Sequence, residues 1–277
     1  MAGRTAWRGP AVALAAVAFA LSACATPTAR IERQAAERGF SREVIRGEPF
    51  RHLVFFRAGG VRELLHVYIE HDGTPWLDAS RVAADPTPRD PLMLDLMGLD
   101  DGAVLYLGRP CHFALEGDPP CGPLLWTHRR YADEVVGSMA AALRRFLAER
   151  PHERLVFIGH SGGGTLAVLL AERFAATAAV VTLAANLDID RWARRHDYSP
   201  LQGSLNPVDR PALPAAVLQR HYVGANDRNV PPAIVRAYAS RHPGAAAIEL
   251  AGVDHACCWR ARWPGLLAEL RERLSPP

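Results

Sequence analysis

The sequence predicts an α/β domain in which helices cover both faces of a mostly parallel central sheet. Short apolar runs alternate with longer segments of helical periodicity along a chain of 277 residues, of which 49% are hydrophobic. Apolar runs of about four to eight residues, separated by helices of about ten or more, are typical of parallel sheets that are buried on both sides. No repeat or linker divides 46–277, so we expect a single domain there.

Each predicted strand is a short apolar run: His52–Ala58, Leu64–Ile69, Ala103–Leu107, Leu155–Ile158, Ala178–Leu183, Gln219–Val223 and Ala246–Leu250. The predicted helices are longer periodic segments between these runs, at about Tyr131–Arg150, Gly162–Ala175, Pro231–Arg241 and Pro264–Leu274, with a short helix at Leu92–Gly98. Two segments interrupt the alternation. The proline-heavy segment 85–91 predicts an irregular connection, and 186–214 has little periodicity. We expect the second to be a cap-like insertion at the carboxyl edge of the sheet, or else a solvated loop.

The N-terminus has the features of an export signal. Arg4 and Arg8 precede the apolar segment Ala11–Leu21, which is too short for a comfortable transmembrane helix. The signal ends in Leu-Ser-Ala-Cys24, which resembles a bacterial lipobox and implies cleavage before Cys24 and its acylation; a plain signal peptide cut nearby is the alternative. We therefore expect a signal peptide over 1–23 and a polar tether over 24–45. The exported protein would be lipid-anchored in the cell envelope, at the periplasmic face of the outer membrane in a two-membrane bacterium.

Export to an oxidising compartment allows the remaining cysteines to pair. Cys111 and Cys121 bracket a Pro/Gly-rich loop, so a disulfide between them is the natural pairing. The neighbours Cys257 and Cys258 could form a vicinal disulfide or remain as buried thiols. No CxxC or HxxxH spacing accompanies the cysteines, so we expect no metal site.

The segment Gly159-His-Ser161-Gly-Gly163 is the most informative about chemistry. It follows the apolar run Leu155–Ile158 and precedes a helix-compatible run, which is the context of the G-x-S-x-G motif. In this motif a sharp, strained turn exposes the serine oxygen, and the glycines avoid collisions with the neighbouring strand and helix. Ser161 is therefore the candidate nucleophile.

A serine nucleophile needs a base that takes its proton and an acid that orients the base. Asp227 follows a predicted strand and precedes a helix opened by prolines, and His255 follows the next strand. The order serine, acid, histidine resembles that of the α/β-hydrolase superfamily over nearly all of Arg51–Leu274. The resemblance implies a single-domain α/β-hydrolase fold, with Ser161 as nucleophile, Asp227 as orienting acid and His255 as general base.

Other residues compete for these roles. Asp188 or Asp190 follows the strand after the motif helix, and some hydrolases place the acid there. His160, inside the motif, is expected to pack beneath the turn, and His221 lies within a predicted strand. We prefer Asp227 because it alone lies at a strand end one structural unit before the candidate base.

The oxyanion of a tetrahedral intermediate needs preorganised N–H donors. One is expected from the backbone of Gly162, directly after the nucleophile. The other is expected from the loop after an earlier central strand, which we take to be Ala103–Leu107, followed by Gly108-Arg-Pro110. This loop resembles the His-Gly-x-Pro loop of the superfamily. The matching donor position is Arg109, because proline has no N–H.

Together these features predict a serine hydrolase that forms an acyl-enzyme on small carboxylic esters or amides, with no cofactor. An acyltransferase or thioesterase would use the same triad. A non-catalytic envelope binding protein of the same fold would be marked by the loss of a triad residue, and all three candidates are present. The net charge is only +3 and no basic block stands out, which argues against a nucleic-acid partner.

Overall fold

The computed structural model describes residues 26–58, 63–115 and 121–275. Within these ranges one sheet is formed by eight strands: β1 (Ser41–Arg46), β2 (Arg51–Arg57), β3 (Leu64–Ile69), β4 (Ala103–Leu107), β5 (Arg154–His160), β6 (Thr177–Leu183), β7 (Leu218–Gly224) and β8 (Ala245–Leu250). Their order across the sheet is β1-β2-β4-β3-β5-β6-β7-β8. β2 is antiparallel to both of its neighbours, and every other pair is parallel. The predicted α/β architecture is confirmed.

The same ranges contain α1 (Pro27–Glu37), α2 (Leu92–Gly98), α3 (Asp133–Glu149), α4 (Gly162–Ala171), α5 (Ile189–Arg195), α6 (Pro232–Arg241) and α7 (Trp259–Leu274). Residues of α3, α4 and α6 share one buried cluster with alternate side chains of the strands. Residues of α1, α2 and α7 share a second cluster with the other set of strand side chains. The sheet is therefore covered on both faces. No helix in the described ranges is long and apolar enough to span a membrane.

The helix predicted to start at Pro264 starts five residues earlier, at Trp259. Trp259 and Trp263 are both fully buried, and burial of their rings fixes the extra turn against the sheet. Pro264 lies inside the helix rather than at its start, so proline was a poor marker of this boundary.

The polar tether expected over 24–45 is wrong for residues 27–45, because this segment folds as α1 and β1. Thr26 caps α1 by accepting a hydrogen bond from the Ala29 N–H at 3.2 Å. Ile31 and Ala35, one turn apart, are buried against the domain. β1 then pairs with β2 along its whole length and forms the edge strand of the sheet. The predicted signal peptide and Cys24 lie outside the described residues.

Candidate active site

Ser161 lies at the sharp turn between β5 and α4. Its backbone has φ 52° and ψ −122°, a conformation that residues other than glycine rarely adopt. The flanking glycines are sterically required, as predicted. A Cβ on Gly159 would lie 2.2 Å from the Gly163 carbonyl oxygen, and a Cβ on Gly163 would lie 2.1 Å from the Ile69 carbonyl oxygen.

A chain of hydrogen bonds runs from Ser161 through His255 to Asp227. His255 Nε2 lies 3.1 Å from Ser161 Oγ, and His255 Nδ1 lies 2.9 Å from Asp227 Oδ2. The other carboxylate oxygen, Asp227 Oδ1, accepts from the N–H groups of Asn229 at 2.9 Å and Val230 at 2.7 Å. The side chain of Asp227 is fully buried. The three residues that the sequence selected therefore meet at the carboxyl ends of β5, β7 and β8.

The rival carboxylates are engaged elsewhere. Asp188 caps the short helix α5, where its Oδ1 accepts from the Arg191 N–H at 3.0 Å. Asp190 Oδ2 accepts from the side-chain amide of Asn206 at 3.4 Å, in an exposed contact. Both lie within the 186–214 insertion, whose helix the sequence reading missed because its seven residues show too little periodicity.

His160 supports the loop that carries His255. Its Nε2 donates to the His255 carbonyl oxygen at 2.8 Å, and Trp259 Nε1 donates to the same oxygen at 3.1 Å. The ring is buried, as predicted, and burial, together with the neighbouring His255 and His71, lowers the pKa of His160 well below its usual range. A neutral His160 can therefore hold the backbone of His255 in place without competing for the Ser161 proton.

The sheet order does not support the prediction that Arg109 supplies an oxyanion donor. The sheet order places β3 between β4 and β5, so the loop after β3, and not the loop after β4, lies beside the serine turn. A Cβ on Gly162 would lie 2.0 Å from Asp72 Oδ1, which shows how closely the two segments approach. In the part of the chain that the structure describes, the Asp72 N–H has no protein acceptor, whereas the N–H groups of His71 and Gly73 are both bonded within the loop.

Arg109 instead helps to neutralise Asp72. The Asp72 carboxylate accepts from Arg109 Nη1, from Arg130 Nη1 at 2.9 Å and from the Tyr131 hydroxyl at 2.6 Å. Both arginines are buried, so two guanidinium groups and one carboxylate leave a formal charge of +1 beside the serine turn. Burial acts to raise the pKa of the Asp72 carboxyl, but the two arginines hold it well below its usual range.

Comparisons with known proteins place this geometry in a wider group. The model of the family "Lipase (class 3)" matches residues 124–185, which include β5, the serine turn and α4. None of the curated proteins matches the sequence. The esterase Pf2001 of Pyrococcus furiosus superimposes with a TM-score of 0.60 at 11% identity, over 87% of this chain and 95% of that one. XC6422 of Xanthomonas campestris, described as an α/β serine hydrolase without a lid, superimposes with a TM-score of 0.56 at 14% identity, over 86% of this chain and 96% of that one. This chain has the α/β-hydrolase fold.

A cavity of about 880 Å³ opens on Ser161 and His255 in this hydrolase fold. Residues of the segment 186–214 form part of its wall. The lining mixes ring side chains with polar groups, and the large members are Trp76, His128, Trp192, His196, Tyr198 and Leu201. In the described ranges no set of three or more His, Cys, Asp and Glu side chains is grouped to hold a metal ion.

The four cysteines of the hydrolase domain are paired. Cys111 and Cys121 are bonded, with their Cα atoms 5.5 Å apart, which is an ordinary span for a disulfide. Cys257 and Cys258 are also bonded to each other, so the vicinal alternative is the one that the structure contains. This second pair lies two residues after His255.

Proposed function

We propose that this protein is a serine hydrolase that acts on carboxylic esters through an acyl-enzyme. The observation that carries the proposal is the continuous hydrogen-bonded chain Ser161–His255–Asp227 at a strained strand–helix turn that opens on a cavity. Similar solved structures include proteins described as an esterase and as a serine hydrolase. A fold alone does not select a reaction, so the proposal depends on the arrangement of these side chains.

In the proposed reaction Ser161 Oγ attacks the ester carbonyl while His255 Nε2 takes its proton. Asp227 holds the Nδ1–H of His255, which sets the tautomer and stabilises the imidazolium that forms. His255 then protonates the departing alcohol. A water molecule, deprotonated by the same nitrogen, attacks the acyl-enzyme; the bond from Ser161 Oγ to the acyl carbon then breaks, and His255 returns the proton to Oγ as the acid is released.

The negative oxygen of each tetrahedral intermediate needs two N–H donors. We propose the backbone N–H groups of Gly162 and Asp72, which lie on the two segments that meet beside Ser161. The Asp72 carboxylate would oppose an oxyanion if it stood alone. The guanidinium groups of Arg109 and Arg130 offset it and leave a net positive charge in a largely buried setting, where charge interacts strongly.

The test is covalent labelling with a fluorophosphonate probe, read by mass spectrometry of the labelled peptide. We expect the label on Ser161, and its loss together with ester turnover in Ser161→Ala. Ser240→Ala is the matched control, because Ser240 is on α6 and its hydroxyl bonds only to the Ala237 carbonyl oxygen of its own helix. Labelling of Ser161→Ala at the wild-type level would remove the basis of the proposal.

We also propose that the protein is exported and anchored by acylation of Cys24, on the strength of the basic start, the short apolar segment and the Leu-Ser-Ala-Cys ending. Cys24→Ser should move the protein from the membrane fraction to the soluble fraction and prevent processing before residue 24. A wild-type protein that is soluble and begins at another residue would contradict the anchor and leave the hydrolase proposal unaffected.

A further inference from the structure

Two groups of flat rings lie in the walls of the cavity beside Ser161. Trp192, His196 and Tyr198 form one group, with ring centroids 5.2 to 5.5 Å apart. Trp76 and His128 form a second, with centroids 6.3 Å apart. Leu201 is the one large aliphatic side chain in the lining that the structure describes.

The first group of rings is fixed to the loop that carries the acid. Trp192 Nε1 donates to the side-chain oxygen of Asn229 at 3.3 Å, and His196 Nε2 donates to the Asn229 carbonyl oxygen at 2.7 Å. The Asn229 N–H in turn donates to Asp227 Oδ1 at 2.9 Å. The ring surface therefore has a set position relative to the Ser161–His255 pair, as a preorganised binding wall requires.

Polar groups flank the exposed ring of Tyr198. Asp197 and Ser199 also line the cavity, and in the described ranges neither side chain has a hydrogen-bond partner in the protein. The ring of Tyr198 is 55% exposed. An alkyl chain laid along this wall would strip water from Asp197 and Ser199 and give them no partner, which is costly.

We propose that the substrate of the hydrolase carries a hydroxylated ring, either a sugar or a phenol, and this inference rests on the proposed function. The ring would stack on Tyr198 and Trp76, and its hydroxyl groups would donate to the Asp197 carboxylate and bond to Ser199. The other two carboxylates of the lining are paired, Asp72 with two arginines and Asp78 with Arg81. In the described ranges Asp197 is therefore the lining carboxylate that is free to accept hydrogen bonds from a substrate.

The kinetic test compares an acetylated methyl glucopyranoside, methyl 4-hydroxycinnamate and methyl octanoate, with ethyl acetate as the reference without a ring. We expect at least one ring ester to exceed methyl octanoate in kcat/KM by about tenfold, and the preferred one identifies the source of the ring. Tyr198→Leu should lower the ratio of kcat/KM for that ester to that for ethyl acetate by about fivefold.

The matched control is Leu77→Ala, which removes another exposed apolar side chain beside Trp76 but outside the cavity lining, and should leave the ratio unchanged. A preference for methyl octanoate, or an unchanged ratio in Tyr198→Leu, would overturn the inference.

A binding measurement separates this inference from the proposed function. Ser161→Ala keeps the cavity but cannot form an acyl-enzyme, so it can be titrated calorimetrically with the same esters. Binding of a ring ester that the wild type does not hydrolyse would refute the hydrolase proposal and uphold the ring site. Hydrolysis without any ring preference would do the reverse. Absence of both binding and turnover would refute both.

Discussion

The role of Asp227 can be tested by a substitution that preserves its shape. In Asp227→Asn the amide oxygen can still accept from the N–H groups of Asn229 and Val230, as Oδ1 does now. The new amide NH₂ group then faces His255 Nδ1 and donates to it. This forces the ring proton onto Nε2, which points at Ser161 Oγ and can no longer accept its proton.

We expect turnover to fall about 10⁴-fold, because the wrong tautomer removes the base and the positive imidazolium loses its carboxylate. Four decades in rate correspond to about 5 kcal/mol in the activation free energy. The measurement is kcat for a short-chain ester, beside the circular-dichroism spectrum and the urea unfolding midpoint. Stability should change little, since both backbone N–H groups keep their acceptor.

The control is Asp188→Asn, which alters the cap of α5 and leaves the Ser161–His255 chain untouched. Its turnover should stay within a few-fold of the wild type. Near-normal turnover in Asp227→Asn, with collapse in Asp188→Asn, would refute the assignment of the acid while leaving the serine hydrolase proposal standing.

Three further predictions follow from buried contacts. Gly163→Val should abolish soluble expression or activity, because its Cβ would lie 2.1 Å from the Ile69 carbonyl oxygen. The control Gly265→Ala should be tolerated, because its Cβ meets nothing within 4 Å. A folded, fully active Gly163→Val would contradict the steric argument. Arg109→Met should lower the free energy of unfolding by about 1.5 to 3 kcal/mol, measured in urea, because it removes one charged hydrogen-bond partner of Asp72 while Arg130 stays paired with it. An unchanged urea midpoint would show that Arg130 alone suffices. Burial lowers the pKa of His52 from 6.5 to about 4, so between these pH values the unfolded chain binds a proton at His52 that the folded chain does not. His52 should therefore contribute a loss of about 3 kcal/mol in the free energy of unfolding as pH drops from 6.5 to 4, and His52→Gln should show a shallower fall in urea midpoint; equal slopes would refute this role.

The catalytic candidates could be predicted because each lies within five residues of a strand end. A short apolar run marks each strand by local sequence alone: Ser161 directly follows β5, Asp227 lies three residues after β7 and His255 lies five residues after β8. In a parallel sheet the carboxyl ends of such strands meet at one edge. Local sequence patterns were therefore enough to predict that residues from three distant segments meet at one site.

The oxyanion loop could not be found in this way. Its choice depends on which strand lies beside β5, and the chain order does not reveal that β3 separates β4 from β5. The prediction of Arg109 depended on the resemblance of Gly108-Arg-Pro110 to the His-Gly-x-Pro loop, which carries no information on which strand lies beside β5. The folded segment α1 was missed for a different reason: only Ile31 and Ala35 of its eleven residues are buried, so its composition is that of a polar linker.

The early start of the fold limits how far the domain could stand from a lipid anchor. Ala25 and Thr26 are the two residues between Cys24 and the first residue of α1, Pro27, a reach of about 10 Å at most. β1 follows α1 closely and is the end strand of the sheet. Acylation at Cys24, as proposed, would therefore hold α1 close to the lipid surface.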